Sequence, residues 1–154
     1  EQCYQEKYYF NQPKNRFKYF DIGKFRIGIL ICWDQWYARS YEYMRKNNVN
    51  LIICPTAIGF CKIKNKNISL RGEREKWLNV ITANSLMINT PVVICNRIGT
   101  ESDKDHSISF WGSSFITDSS GTVVKKCLTD QRVIHHKIAI EDQITAKSMW
   151  NFID

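Results

Sequence analysis

Among the side chains able to act as nucleophile, base or metal ligand, Cys32 has the most pointed setting. It ends the apolar run "RIGILIC" (Arg26–Cys32) and is followed at once by "WDQW" (Trp33–Trp36). A strand that gives way to a helix presents its last residue at the carboxyl edge of the sheet, where open α/β sheets bind ligands. Amides at the start of the next helix would donate to an oxyanion, and the positive end of its dipole would favour a thiolate. This is the setting of a thiol nucleophile. The competing reading is a small buried hydrophobe that closes a strand.

Other reactive side chains have weaker settings. His135 and His136 are adjacent in a strand-like stretch and so would point to opposite faces, which fits a structural role better than a metal or base pair. His106 lies in the polar stretch "SDKDHS" and is expected to be exposed. Nothing marks a histidine presented to Cys32 as a Cys–His thiol protease requires. There is no CxxC pair and no Cys/His cluster, so no metal and no cofactor is expected. Asn96 and Arg97 end a later apolar run at the same sheet rim, where they either shape a pocket or pair locally. Trp77 reads as helix packing, not substrate contact.

To present Cys32, the chain must build and cover a sheet. "FKYF" and "FRIGILIC" read as a hairpin with turn chemistry at Asp21 and Gly23. The second of these strands is apolar on both faces from Ile27, as a central strand is. "DQWYARSYEYMRKNN" has helical spacing at Trp36, Tyr37, Ser40, Tyr41 and Met44, with a stop at Asn47-Asn48. "VNLIICPT" is another strand, and a Lys/Asn-rich loop is expected from about Phe60 to Ser69. "LRGEREKWLNVITANSLMIN" reads as a long helix with apolar positions at Trp77, Leu78, Ile81, Leu86 and Met87, stopped by Thr90-Pro91. "VVICNRIG" is a third apolar strand. "SISFWGSSFITDSSGTVVKKC" reads as an antiparallel hairpin, "VIHHKIAI" as a strand, and "EDQITAKSMWNFID" as a helix start or docking arm. The alternation predicts an α/β fold, a sheet of mixed direction covered by helices, in one domain over residues 1–154.

Composition narrows the function class. With 154 residues, 44% of them hydrophobic, the chain can bury one real core. The longest apolar runs are too short to cross a bilayer, and the opening "EQCYQEKYYF" has no hydrophobic signal region. The net charge is +7, but the lysines and arginines are dispersed and mixed with acids, so neither a nucleic acid nor a membrane is an expected partner. Six cysteines invite a disulfide framework. Against it, Cys32, Cys54 and Cys95 each end an apolar run in a core-rich chain, so free thiols in a reducing, cytoplasmic compartment are expected.

The segments "RIGILICWDQW", "PTAIG", "NRIG" and "WGSSFI", in that order, resemble the nitrilase (carbon–nitrogen hydrolase) superfamily, and within it the N-carbamoylputrescine amidase branch. The resemblance covers nearly the whole chain. It implies an αββα sandwich and a Glu–Lys–Cys triad in which Cys32 is the nucleophile. The cysteine would attack an amide or carbamoyl carbon, ammonia would leave, and water would hydrolyse the thioester-type intermediate. The lysine and the backbone N–H of Trp33 would hold the oxyanion. The family's second, substrate-positioning glutamate matches Glu6 in "YQEKYYF"; apart from the motif, Glu6 is an ordinary exposed acid. Asp34, Gln35 and Trp36 would form a neutral-to-acidic rim that suits a cationic amine better than a carboxylate, although Trp36 fits a helix core as well. Thr56, Ala57 and Asn96 would complete the substrate pocket.

The resemblance also exposes departures. The triad's glutamate and lysine belong to stretches that precede "YQEKYYF" in the family, and neither is present. Lys7 and Lys14 match no motif. The expectation is therefore the C-terminal half of a domain, inactive by itself, with apolar surface where the missing N-terminal half packs. Ala38-Arg39 replace the Pro-Glu usual in this branch. The implied partners are a small amide or carbamoyl amine, the other half of the domain and further copies in a homo-oligomer, with "SMWNFID" as an interface arm. The rival is a truncated, non-catalytic binding or assembly module. Other substrates within the class are an ω-amide or a ureido acid.

Overall fold

The computed structural model describes residues 6–11, 17–63, 72–104, 106–127 and 133–149. A short helix, α1 (Glu6–Tyr9), precedes a hairpin of β1 (Lys18–Ile22) and β2 (Phe25–Ile29). Gly23 takes φ +58 in the two-residue turn between them, a conformation open to glycine without strain. Next come a 3₁₀ turn (Cys32–Trp36), α2 (Ala38–Lys46), β3 (Leu51–Thr56) and β4 (Gly59–Ile63). Helix α3 (Glu73–Met87) is followed by β5 (Val92–Asn96), β6 (Ile98–Ser102), β7 (His106–Trp111), β8 (Phe115–Thr117), β9 (Val123–Lys126) and α4 (Ile140–Met149).

Six strands form a mixed sheet in the order β1-β2-β3-β5-β8-β9. Strands β2, β3 and β5 are parallel, so their carboxyl ends share one edge, while β1, β8 and β9 pair antiparallel. The other three form an antiparallel sheet, β4-β7-β6.

Period-two alternation gives the large sheet two different faces. Ile52, Cys54, Val92, Ile94 and Phe115 point one way and are buried with Tyr41 and Met44 of α2 and Trp77 and Ile81 of α3. The approach of α2 is close: a Cβ on Gly28 would lie 2.5 Å from Met44 Sδ and 3.1 Å from Val49 Cγ1. The other face carries Phe20, Ile22, Ile27, Ile29, Leu51, Ile53 and Val93, which the strand register aligns. Phe20 and Ile22 are well exposed and the rest half-buried, so this face is an apolar surface turned away from the helices.

Several expectations are corrected. The helix does not begin at Asp34; the 3₁₀ turn intervenes and α2 starts at Ala38. Part of the expected Lys/Asn-rich loop is strand β4, held by pairing with β7, while residues 64–69 lie outside the described residues. The hairpin is β8–β9 alone, because β7 belongs to the small sheet. "VIHHKIAI" forms no strand: residues 133–139 have no regular structure, and His135 and His136 are exposed. His106 begins β7 and is half-buried. On α3, Trp77 and Ile81 are buried but Leu86 and Met87 are exposed. Cys32, Cys54, Cys95 and Cys127 carry no disulfide, and of the three that end apolar runs only Cys54 is fully buried. Cys61 is disulfide-bonded, against the expectation of free thiols throughout. The expected arm "SMWNFID" lies largely outside the described residues. No helix among the described residues is long and apolar enough to cross a membrane.

Candidate active site

Cys32 sits where β2 leaves the sheet. Its backbone takes φ +46, a left-handed conformation that costs a non-glycine residue about 1–3 kcal/mol and persists only where surrounding contacts enforce it. The residue is half-buried. The turn caps itself: Asp34 Oδ2 accepts the Ile31 N–H at 3.2 Å, and the Asp34 N–H donates to the Ile31 carbonyl at 3.0 Å. The Asp34 carboxylate is thus turned back onto its own segment. Trp33 is partly exposed, with its ring centroid 6.4 Å from that of Trp36. Trp36 is half-buried and packs against the core, and its buried indole N–H has no acceptor among the described residues.

Gln35 faces inward, not onto the rim where the sequence reading put it. It is wholly buried. Its Nε2 donates to the Cys32 carbonyl at 2.7 Å and to Thr56 Oγ1 at 3.0 Å, and its Oε1 accepts the Trp77 indole N–H at 2.7 Å. The Gln35 carbonyl accepts from the Tyr41 hydroxyl at 3.2 Å. Trp77 is itself packed between Trp111 and Phe115, with ring centroids 5.6 and 5.5 Å away.

The parallel strands bring the other expected residues to the same edge. Thr56 ends β3, Ala57 follows it, and Asn96 ends β5. Thr56 and Ala57 are half-buried, and Asn96 is buried. Asn96 Oδ1 accepts from the Ile58 N–H, while Nδ2 donates to the carbonyls of Ile58 and Gly112. Its amide therefore ties together the ends of three strands. Cys54 lies below Cys32, its thiol pushed up by burial first and then by Cys32 and Asp34. Glu6 is described only through its backbone in α1; its side chain lies outside the described residues. No cluster of metal-ligating side chains occurs among the described residues.

Sequence reasoning missed Trp77 as a partner of this turn. Helical spacing marked Trp77 as buried, but a bond to a residue 42 positions away leaves no local signal. A glutamine between Asp34 and Trp36, in a segment rich in aromatic residues, is the one local trace of an interior amide.

The family model for carbon–nitrogen hydrolases matches residues 2–147. An N-carbamoylputrescine amidase of Oryza sativa subsp. japonica is 36% identical over 126 residues, covering 79% of this chain and 40% of that protein. A citrullinase of Francisella tularensis is 34% identical over 118 residues, covering 77% of this chain and again 40% of the relative. The chain thus spans about two-fifths of the length of these relatives. The crystal structure of a carbon–nitrogen hydrolase from Helicobacter pylori G27 superposes with a TM-score of 0.83 at 26% identity, over 96% of this chain and 51% of the other. The family model spans nearly the whole chain, and the chain belongs to the carbon–nitrogen hydrolase family.

Proposed function

We propose that this chain is the nucleophile-bearing part of a cytosolic thiol amidohydrolase that removes ammonia from a terminal ureido group, with N-carbamoylputrescine as substrate. The observation that carries the reading is Cys32, a half-buried cysteine outside any disulfide, held at φ +46 at the carboxyl edge of parallel strands. The Cys32 thiolate adds to the ureido carbon. The tetrahedral oxyanion collapses with loss of ammonia to a carbamoyl thioester. Water then cleaves the C–S bond, regenerating the thiol and giving the carbamate, which breaks down to carbon dioxide and the free amine. The Trp33 N–H donates to the oxyanion. The base glutamate and oxyanion lysine of the triad, and the apolar layer for the open sheet face, come from the rest of the domain. Glu6 positions the substrate. Trp33 and Trp36 flank the entry beside Asp34 and favour a cationic amine tail. Thr56, Ala57 and Asn96 form the wall opposite.

A ureido amino acid is the second reading, favoured by the citrullinase, which is as similar as the amidases. The test begins with the mass of the purified protein, native and then denatured, to show which polypeptides make up the domain and its oligomer. Ammonia release from N-carbamoylputrescine, citrulline and an ω-amide follows on that intact assembly. Preference for N-carbamoylputrescine supports the first reading, and preference for citrulline replaces it with the second. No release from any of the three, with the chain shown to stand alone, makes it a non-catalytic module.

A further inference from the structure

We infer that Gln35, held from behind by Trp77, is a positioning residue that aims the Trp33 N–H at the developing oxyanion. This rests on reading Cys32 as the nucleophile. The Cys32 carbonyl and the Trp33 N–H belong to one peptide group, and no peptide bond among the described residues is cis. In a planar trans peptide the C=O and N–H point in opposite directions. A bond that pulls the Cys32 carbonyl into the interior therefore turns the Trp33 N–H away from the interior. Gln35 Nε2 makes that bond at 2.7 Å.

The amide is well built for this task. A glutamine offers two N–H donors and one carbonyl oxygen. One donor holds the Cys32 carbonyl, the other holds Thr56 Oγ1 at the end of β3, and the oxygen accepts from Trp77 on α3. Three elements thus converge on one side chain that solvent does not reach. In a dry interior such a chain of bonds polarises along its length. Donation to the Cys32 carbonyl draws electron density from the peptide and strengthens the Trp33 N–H as a donor. The same bond helps to enforce the left-handed φ of Cys32.

The test compares two reactions of Cys32 in the intact enzyme, each assigned to the residue by peptide mass. Acylation by p-nitrophenyl acetate passes through a tetrahedral oxyanion. Alkylation by iodoacetamide displaces iodide and forms no oxyanion. Gln35→Met, which keeps the length and removes all three bonds, is expected to slow acylation by roughly 100-fold, as loss of an oxyanion donor does, while alkylation changes by less than about threefold. Trp77→Phe, which keeps the ring packing and removes one donor, is expected to slow acylation by about tenfold. It should add nothing in the Gln35→Met background. Equal slowing of both reactions, or acylation at the wild-type rate in either folded variant, overturns the assignment. If wild-type Cys32 is alkylated but never acylated, the nucleophile reading falls and this one with it. Acylation without turnover of any ureido substrate overturns only the choice of substrate.

Discussion

Asn96 and Ile58 bond to each other twice. Asn96 Oδ1 accepts the Ile58 N–H at 2.9 Å, and Asn96 Nδ2 donates to the Ile58 carbonyl at 3.1 Å. The side chain thereby imitates a strand where β3 and β5 have already ended, and fixes the path of the chain just past Thr56 and Ala57. Its remaining N–H reaches the Gly112 carbonyl at 2.9 Å, adding the segment between β7 and β8. Replacing Asn96 with alanine strands several buried polar groups, and the expected cost is about 2–4 kcal/mol in chemical denaturation of the intact protein. Asn96→Asp removes both donors and should recover little of that loss.

Cys32 separates chemistry from stability. Cys32→Ala and Cys32→Ser are expected to abolish ammonia release. Cys32→Gly should be equally inactive, yet about 1 kcal/mol more stable than Cys32→Ala, since glycine adopts φ +46 without strain. Paired thermal melts decide this; a glycine variant less stable than the alanine variant would mean that the turn is not strained.

Alkaline stability reports on Cys54. Burial first, then Cys32 and Asp34, hold its thiol above the ordinary value of 9.0. Below pH 9 the thiol is protonated in both the folded and unfolded chains and contributes no slope. Above it, the unfolded chain ionises while the folded one does not, so stability is lost as pH rises. Tyr41, raised chiefly by burial and then by Cys54, adds to the loss beyond its ordinary 10.0. Lys147 works the other way, since burial and then Arg45 lower it and its cost is relieved as pH climbs toward 10.5. Denaturation midpoints of wild type and Cys54→Ala, compared from pH 8 to 10, should diverge from about pH 9, with the wild type falling faster.

Helix α4 hangs on Gln143, which is buried. Its Nε2 donates to the Val49 carbonyl and to Thr90 Oγ1, and its Oε1 accepts from Asn50 Nδ2, each at 3.3 Å. Gln143→Leu is expected to speed amide hydrogen exchange throughout α4 by about tenfold or more, with exchange in β3 and β5 unchanged. Faster exchange in the strands as well would make the helix part of the core's cooperative unit.

The sequence was readable where burial decided structure. Strands β2, β3 and β5 are short apolar runs because helices cover one face of the sheet and the other is an apolar surface, and α3 shows its helical spacing at Trp77 and Ile81. Legibility failed where pairing decided. "GFCKI" and "IGTES" become strands only through β7, and "IGTES" is exposed along its whole length. "VIHHKIAI" has the alternation of a strand and lacks strand structure, since alternation supplies only one face and a ladder partner must supply the rest. At the site, the position of Cys32 followed from the run that ends there. The inward turn of Gln35 did not, because it depends on an indole that only the folded chain brings near.

Gly28 gives the sheet a last office. The missing methyl beneath Met44 lets α2 settle onto β2. Strand and helix are joined only through the segment that carries Cys32. The height at which the helix rides above the sheet is therefore also the slack in that link. A bulkier residue at position 28 would act as a wedge, lifting one end of a short tether whose middle holds the thiol.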